Sequence, residues 1–433
     1  MKYRNTFIGV FLLAVVLFLL QADFITKYRQ VIPAHDPTYY YSYVRSAVID
    51  GDLNLKNEYK HFKITNYKTS PIGLPINTYS IGFPLLVLPF YALAHGIITF
   101  LDYFGFGLRN FGYSLPYQIA FCLGSIFYGF LGLNLCFSFL KNFFSARISV
   151  LSLLLILFTT NLFYYISVEP FMSHACSFFS VSLFFYLWHK ARTSDKRSYH
   201  FWLGIAAALM ISVRQQNGVF LVVIPFGYLW AGVPARQRDL IKSATLTVIG
   251  LVLGLVPQML AWKEIFGSWI VYSYGQQSFL YKYDPKILQV LFSSKHGLIS
   301  WHPVIILCLI GLLLSIRKYP RLGVLFFTGF LLELYINSAW WCWWLGNSFG
   351  HRGFVASTLI FSFGLAYLLS QDNVKIQSWK FVTAACLLAL WNMILAVSYL
   401  TKMIPQTKSF SWFSLFANIG QLPAHIIYRI NNF

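Results

Sequence analysis

The feature that most constrains this chain is a succession of apolar runs, most of them long enough to cross a lipid bilayer. They fall at 6–25, 114–140, 148–167, 171–188, 201–216, 218–233, 243–262, 301–316, 322–339, 353–370 and 379–400. A spanning helix needs roughly 20 mostly apolar residues. Inside the bilayer every backbone polar group must be satisfied within the protein, which leaves only helices and closed barrels. The chain is therefore expected to be an all-α polytopic membrane protein of about eleven spans, with no separate soluble domain. Composition agrees, since 58% of its 433 residues are hydrophobic and only 11% are charged, unlike a soluble domain. A further apolar stretch, 81–100, is interrupted by Pro84, Pro89 and His95. It is expected to be interfacial or re-entrant.

The charges set the orientation. Lys and Arg number 33 against 13 Asp and Glu, and the bases are scattered in short loops between runs. That pattern argues for anionic lipid headgroups and an anionic lipid substrate, and against nucleic acid. If 81–100 does not cross, "KNFFSAR", "HKARTSDKRSYH", "VPARQRDLIK", "RKYPR" and "QDNVKIQSWK" share the side of Lys2 and Arg4. By the positive-inside rule that side is cytoplasmic. The loops on it hold only Asp195, Asp239 and Asp372, so ten of the thirteen acids lie on or near the outer side. No small-x-small cleavage site follows "LLQADF", and the first run reads as an uncleaved helix. The six cysteines stand alone, nearly all within apolar runs, and read as core filler.

The chemically unusual stretches gather on the outer side. In "HDPTYYY", Asp36 before Pro37 is a good helix start, with Asp36 at the N-cap and a helix over 38–50 ending at Gly51. The same carboxylate suits a general base, because the helix N-terminus keeps it ionised. Glu169 in "SVEPFMSH" is a second outer acid, again before a proline, and His174 follows it. One acid and one histidine are weak evidence for a metal site. "RQQN", Arg214 to Asn217, divides 201–231 into two pieces each too short to span. This draws a polar turn below the surface, where Arg214 either binds phosphate or snorkels outward. "SSKHGLISWHP" supplies Lys295 and His296 toward a departing phosphate, with Trp301 as an interfacial anchor. "WWCWWLGNSFGHRGF" sets Arg352 and His351 among glycines that open the backbone, an arrangement suited to a phosphate group.

An Asp soon after the first span, an aromatic-rich helix, "DGDL" and "P-x-G…N-x-Y-x-x-G-x-P-L-L-x-x-P-F" together resemble membrane glycosyltransferases of the GT-C fold. The resemblance is to the branch holding the protein O-mannosyltransferases and the lipid A aminoarabinose transferase, and relatives carry a similar "W-x-G-x-S-F-G-x-R" stretch. It implies a GT-C domain over 1–400, whose first periplasmic loop, 26–113, holds interfacial helices and the catalytic Asp. An aromatic and basic interfacial tail follows over 401–433. It implies transfer of a sugar from a polyprenyl-phosphate carrier to a lipid, glycan or protein acceptor at the periplasmic face of a bacterial inner membrane. Asp36 would be the base and Glu169 an acceptor-side or metal-side carboxylate. Arg352, Arg214, Lys295 and His296 would face the donor phosphate, and Tyr39, Tyr40, Asn77, Tyr79 and His351 the substrate. No cofactor is specified, and a divalent metal stays open. Protein mannosyltransferases usually carry Asp-Glu where this chain has Asp36-Pro37, a departure that bears on the acceptor more than on the fold. Two rival readings differ in what they require. A lipid or small-solute transporter would show paired mid-membrane charges or repeat symmetry, neither of which is visible. A polysaccharide polymerase or ligase would carry its longest outer loop late in the chain.

Overall fold

A computed structural model of the chain describes residues 4–26, 31–225, 237–275 and 277–432. In chain order the helices are α1 (Arg4–Thr26), α2 (Asp36–Arg45), α3 (Lys56–His61), α4 (Gly82–Tyr103), α5 (Leu115–Leu140), α6 (Ala146–Thr159), α7 (Leu162–Ser167), α8 (His174–Thr193) and α9 (Ser198–Val213). They continue as α10 (Gln237–Phe266), α11 (Ile287–Phe292), α12 (Leu298–Trp301), α13 (Val304–Ser315), α14 (Pro320–Ala339), α15 (Thr358–Leu369), α16 (Trp379–Leu400), α17 (Trp412–Asn418) and α18 (Leu422–Asn432). A π-turn covers Ser46–Asp50, and 3₁₀ turns cover Gln215–Val222 and Arg352–Ser357. Among the described residues no strand forms beyond the isolated bridge Thr69–Pro75. Six of these helices are long and apolar enough to cross a membrane, and several shorter apolar helices accompany them. The protein is a multi-pass membrane protein.

The chain divides into two compact units. The first comprises Met1–Gly132, Ile166–Gly218 and Val233–Gln277. In it α9 and α10 pack with their backbones nearly touching. A Cβ on Gly204 would strike Thr247 of α10, and one on Gly250 would strike Phe201 of α9. Small residues serve this purpose in membranes, where close van der Waals packing holds helices together. The opposite flank of α10 shows Val248, Val252, Leu253 and Leu260 on the surface, as a lipid-facing helix should.

α9 is 16 residues long, about 24 Å, and stops short of a full crossing at Arg214. Its freed Met210 carbonyl accepts from the Arg214 amide at 3.3 Å and from Asn217 Nδ2 at 3.1 Å. Asn217 Nδ2 also reaches Ser177 Oγ at 2.9 Å. The buried break is thus closed by side chains, as a hydrocarbon setting requires. The second half of the expected span 218–233 lies outside the described residues.

The stretch 81–100 takes one of its two expected forms, helical without a re-entrant break. It is one continuous helix, α4, so the re-entrant alternative is excluded. Pro84 falls in the first turn, where its missing N–H is no loss, and only Pro89 is internal. The inner face of α4 sets Phe83 and Tyr91 against Phe121 and Tyr117. Its later half exposes Leu93, Ile97, Phe100 and Tyr103, and α4 is itself long and apolar enough to cross.

The second unit comprises Leu133–Tyr165, Val219–Gly232 and Ser278–Phe433. α13 and α15 meet backbone to backbone at Gly311 and Gly364. Around that contact lies a core including Cys308, Phe330, Phe354, Phe361 and Leu365. The run 148–167 is not one helix but two, broken at Thr160 and Asn161. Asn392 of α16 donates to the Phe158 carbonyl at 3.0 Å and to the Thr160 carbonyl at 2.8 Å. Those bonds replace the helical ones lost at the break.

Candidate active site

The expected site residues fall into two groups, one in each unit. In the first unit the lead-in to α2 is tied down before the helix begins, since Gln118 Oε1 accepts from the amides of Val31 (2.7 Å) and Ile32 (2.9 Å). α2 then starts one residue earlier than expected. Its N-cap is His35, at φ 80 and making no side-chain cap, with Asp36 the first helical residue. A histidine at positive φ is uncommon, and here it turns the chain sharply into the helix. Asp36 Oδ1 accepts the phenol proton of Tyr79 at 2.6 Å. The carboxylate is therefore held by a tertiary contact 43 residues away in sequence.

The partner loop, 77–80, is equally well fixed. Asn77 is fully buried, donates to the Tyr39 carbonyl at 2.9 Å and accepts from the Tyr79 amide at 3.1 Å. It binds α2 to the Tyr79 loop and is not exposed to a ligand. A Cβ on Gly82 would collide with the Ser212–Val213 backbone, so this glycine lets α4 start hard against the end of α9. That contact brings Ser80 Oγ within 3.2 Å of Gln215 Nε2, beside Arg214.

Arg214 is partly buried. Its Nη2 donates to Gln216 Oε1 at 2.9 Å, and its Nη1 reaches Ser173 Oγ at 3.4 Å and His174 Nδ1 at 3.2 Å. A guanidinium only donates, so His174 presents a bare ring nitrogen to it. Ser173 Oγ also meets the Tyr40 phenol at 3.2 Å. Tyr40 is buried against Tyr79 and Phe83, and burial raises its pKa, with Arg214 lowering it and Asp36 raising it. Tyr274 is likewise raised by burial, lowered by Arg214 and raised by Asp36. Both phenols thus lie within the fields of one carboxylate and one guanidinium. Tyr39 is the more open aromatic, its ring 5.6 Å from that of Tyr79.

Glu169 lies in the turn before α8 and not at a helix start. The turn is anchored by Gln21 Nε2 on the Val168 carbonyl at 3.2 Å, and it delivers Ser173 and His174 to Arg214. Among the described residues, no group of three or more His, Cys, Asp or Glu is placed to hold a metal ion.

In the second unit Lys295 Nζ sits 3.6 Å over the Trp344 ring, and desolvation lowers its pKa. His296 is buried at φ 66, with Nε2 3.1 Å from the Gln406 carbonyl. Burial, opposed by that bond and aided by His351, Arg352 and Lys295, brings it down to about 3. It is a neutral imidazole. Those influences also place Lys295 and Arg352 around the same ring. His351 is fully buried, with Nε2 2.9 Å from the Trp343 carbonyl and its ring against Phe354, a position that shapes the loop. Arg352 opens the 3₁₀ turn and stays partly exposed.

Trp301 corrects the expectation of an interfacial anchor. It is fully buried, packed on His296, Phe349, Tyr399 and Phe410, and its indole donates to the Ser294 carbonyl at 2.9 Å. An aromatic cage assembled from distant segments has claimed it. Sequence reasoning also missed Tyr274 and Ser173. The signal for Tyr274 was a tyrosine before a glycine, Gly275, in the loop after α10.

Helices of this order, with α2 and α3 lying between the first long helix and α4, make the GT-C fold of membrane glycosyltransferases. The crystal structure of ArnT from Cupriavidus metallidurans in the apo state superposes with a TM-score of 0.52 at 14% identity, over 99% of this chain and 75% of that one. ArnT from the same organism bound to undecaprenyl phosphate gives a TM-score of 0.48 at 13% identity, with the same coverage. No protein-family model and no curated protein sequence matches the chain.

Proposed function

We propose that the protein is a glycosyltransferase that moves a sugar from a polyprenyl-phosphate carrier to an acceptor hydroxyl at the periplasmic face of a bacterial inner membrane. The observation that carries this reading is Asp36, fixed by the Tyr79 phenol, with Tyr40 packed on Tyr79 and joined through Ser173 to Arg214. A carboxylate held by tertiary contacts at the start of a short helix is suited to accept a proton. As the acceptor oxygen bonds to the anomeric carbon, its proton passes to Asp36. The sugar–phosphate C–O bond breaks, and its electron pair leaves with the carrier phosphate. Cations on that phosphate lower the barrier. Arg352 and Lys295 serve as donor-phosphate ligands, and Arg214 as a further cation beside the base.

Glu169 stands toward the acceptor, and Tyr39 is the aromatic open enough to lie against a sugar. The buried Asn77 and Tyr40 support the Asp36 group, and His296, neutral and buried, and the buried His351 support the Arg352 group, each within its own unit. The acceptor is a lipid, a glycan or a protein. The test is transfer by the purified protein in liposomes from a panel of radiolabelled undecaprenyl-phosphate sugars. Acceptor-dependent release of undecaprenyl phosphate from one of them is expected. If no member of the panel is consumed under conditions where the protein is folded, the reading is wrong.

A further inference from the structure

Glu333 is a carboxylic acid near the end of a spanning helix, 1% exposed, and none of the chemistry above uses it. An ionisable group at such a place is costly in apolar surroundings and calls for a function. Its Oε2 accepts the hydroxyl proton of Ser357, which is fully buried. One helical turn further along α14, Asn337 lies on the same face and donates Nδ2 to the Glu333 carbonyl at 2.9 Å. A Cβ on Gly353 would collide with Asn337 Oδ1, so the backbone next to Arg352 lies directly on this polar stripe. Ser357 and Gly353 belong to one short 3₁₀ turn, Arg352–Ser357, whose first residue is Arg352. Hydrogen bonds within a 3₁₀ turn have poor geometry. The turn runs directly into α15, so a contact at Ser357 sets the orientation of the helix entry from which Arg352 projects.

We propose that Glu333 is a positioning residue for Arg352, holding through Ser357 the 3₁₀ turn that aims the guanidinium at the carrier phosphate. The inference rests on the phosphate role given to Arg352 above. The carboxylate touches neither substrate nor reacting atoms, and it acts by fixing where a flexible arginine starts. An apolar residue in its place would fill the space but leave the Ser357 hydroxyl without an acceptor in the core, which favours a shifted turn.

The experiment compares binding of undecaprenyl phosphate and of undecaprenol, its phosphate-free counterpart, to the purified full-length protein in nanodiscs. The wild type is expected to prefer the phosphate, and Arg352→Ala to lose that preference. Glu333→Leu and Ser357→Ala should each lower the preference by about threefold, less than Arg352→Ala does, while leaving undecaprenol binding unchanged. Glu333→Gln keeps an acceptor for Ser357 and should retain it. A role in folding alone would lower thermal stability without moving the ratio of the two affinities. If Glu333→Leu does not fold, Ser357→Ala decides the matter. A folded Glu333→Leu or Ser357→Ala protein with wild-type preference, beside an Arg352→Ala protein that has lost it, overturns the positioning role alone. A wild type without preference overturns the phosphate reading and this inference with it.

Discussion

The Asp36 cluster and the Lys295–Arg352 cluster hold their charges in different ways. Asp36 and Arg214 sit in a lattice of phenols, hydroxyls and amides whose bonds are made within the protein, by Tyr79 on the acid and by Ser173, His174 and Gln216 on the guanidinium. Lys295 lies on the face of Trp344, Arg352 opens a 3₁₀ turn, and both charges act on a neutral His296. The first arrangement keeps a proton acceptor at one place before anything binds. The second gathers positive charge over aromatic surface, where a phosphate is the natural complement. Acid–base work needs the former and leaving-group stabilisation the latter.

The sharpest way to break the comparison is to ask which side of the membrane each cluster faces, since the expected answer is all or none. In a background with Cys342 and Cys386 replaced by Ser, single cysteines go at the exposed positions Asn57, Asn347 and Lys196. The first two should react with an impermeant thiol reagent added from outside intact cells, and the third should not. Labelling at Lys196 would reverse the orientation and remove the donor from the site.

Asp36→Asn comes next. Asn keeps the shape and can still accept the Tyr79 phenol proton, so fold and donor binding should stay near wild type. It cannot serve as the base, and turnover should fall by about 10²-fold or more. Steady-state rates beside thermal unfolding separate the two effects, and an Asn variant with wild-type turnover removes Asp36 from the chemistry. Arg352→Ala is expected to weaken donor affinity by about tenfold. Arg352→Lys should be intermediate, because an ammonium lacks the bidentate grip of a guanidinium. Equal donor affinity in both variants and the wild type would leave Arg352 no part in phosphate binding.

Much of this was legible because bilayers permit few solutions. Apolar runs gave the helical class and most of its long helices, and a carboxylate beside a proline and a rank of tyrosines in a basic, acid-poor chain drew attention to Asp36. What stayed hidden depended on partners far away in sequence. The break between α6 and α7 is tolerated because Asn392, more than 200 residues later, satisfies its carbonyls. Trp301 reads as an interface residue until Phe349, Tyr399 and Phe410 enclose it. The helix start at Asp36 shifts by one residue because Tyr79 holds the carboxylate. Local patterns report what a segment prefers, whereas these residues answer to tertiary neighbours.

The smallest effect concerns the far end of the Asp36 helix, where a third group of charges shows how an ion pair differs from both clusters. Arg45 closes α2. Its Nη1 pairs with Asp50 and, at 2.7 Å, with Glu58, while its Nε donates to the Phe111 carbonyl at 3.2 Å and its guanidinium lies 4.7 Å from the Tyr113 ring centroid. Tyr41 and Tyr91 both donate to the Gly112 carbonyl at 2.6 Å, fixing the same loop. Glu58 is fully buried whereas Asp50 is exposed, and one cation shared between them does not repay the burial of Glu58. Burial outweighs the Arg45 bond at Glu58, whose pKa rises to about 7 from an ordinary 4.5. Because the folded value is the higher one, this contribution to stability is complete below pH 4.5 and is lost as pH rises through 7. Between pH 6 and 8 the region around 46–62 should lose about 1 kcal/mol of local stability, read by amide hydrogen exchange corrected for intrinsic rate. Glu58→Gln carries no titrating proton and should flatten the dependence while leaving the Asp36 end intact. A slope that survives in Glu58→Gln would assign it to another group, with His61, stacked on Tyr113 at 3.6 Å, the nearest alternative.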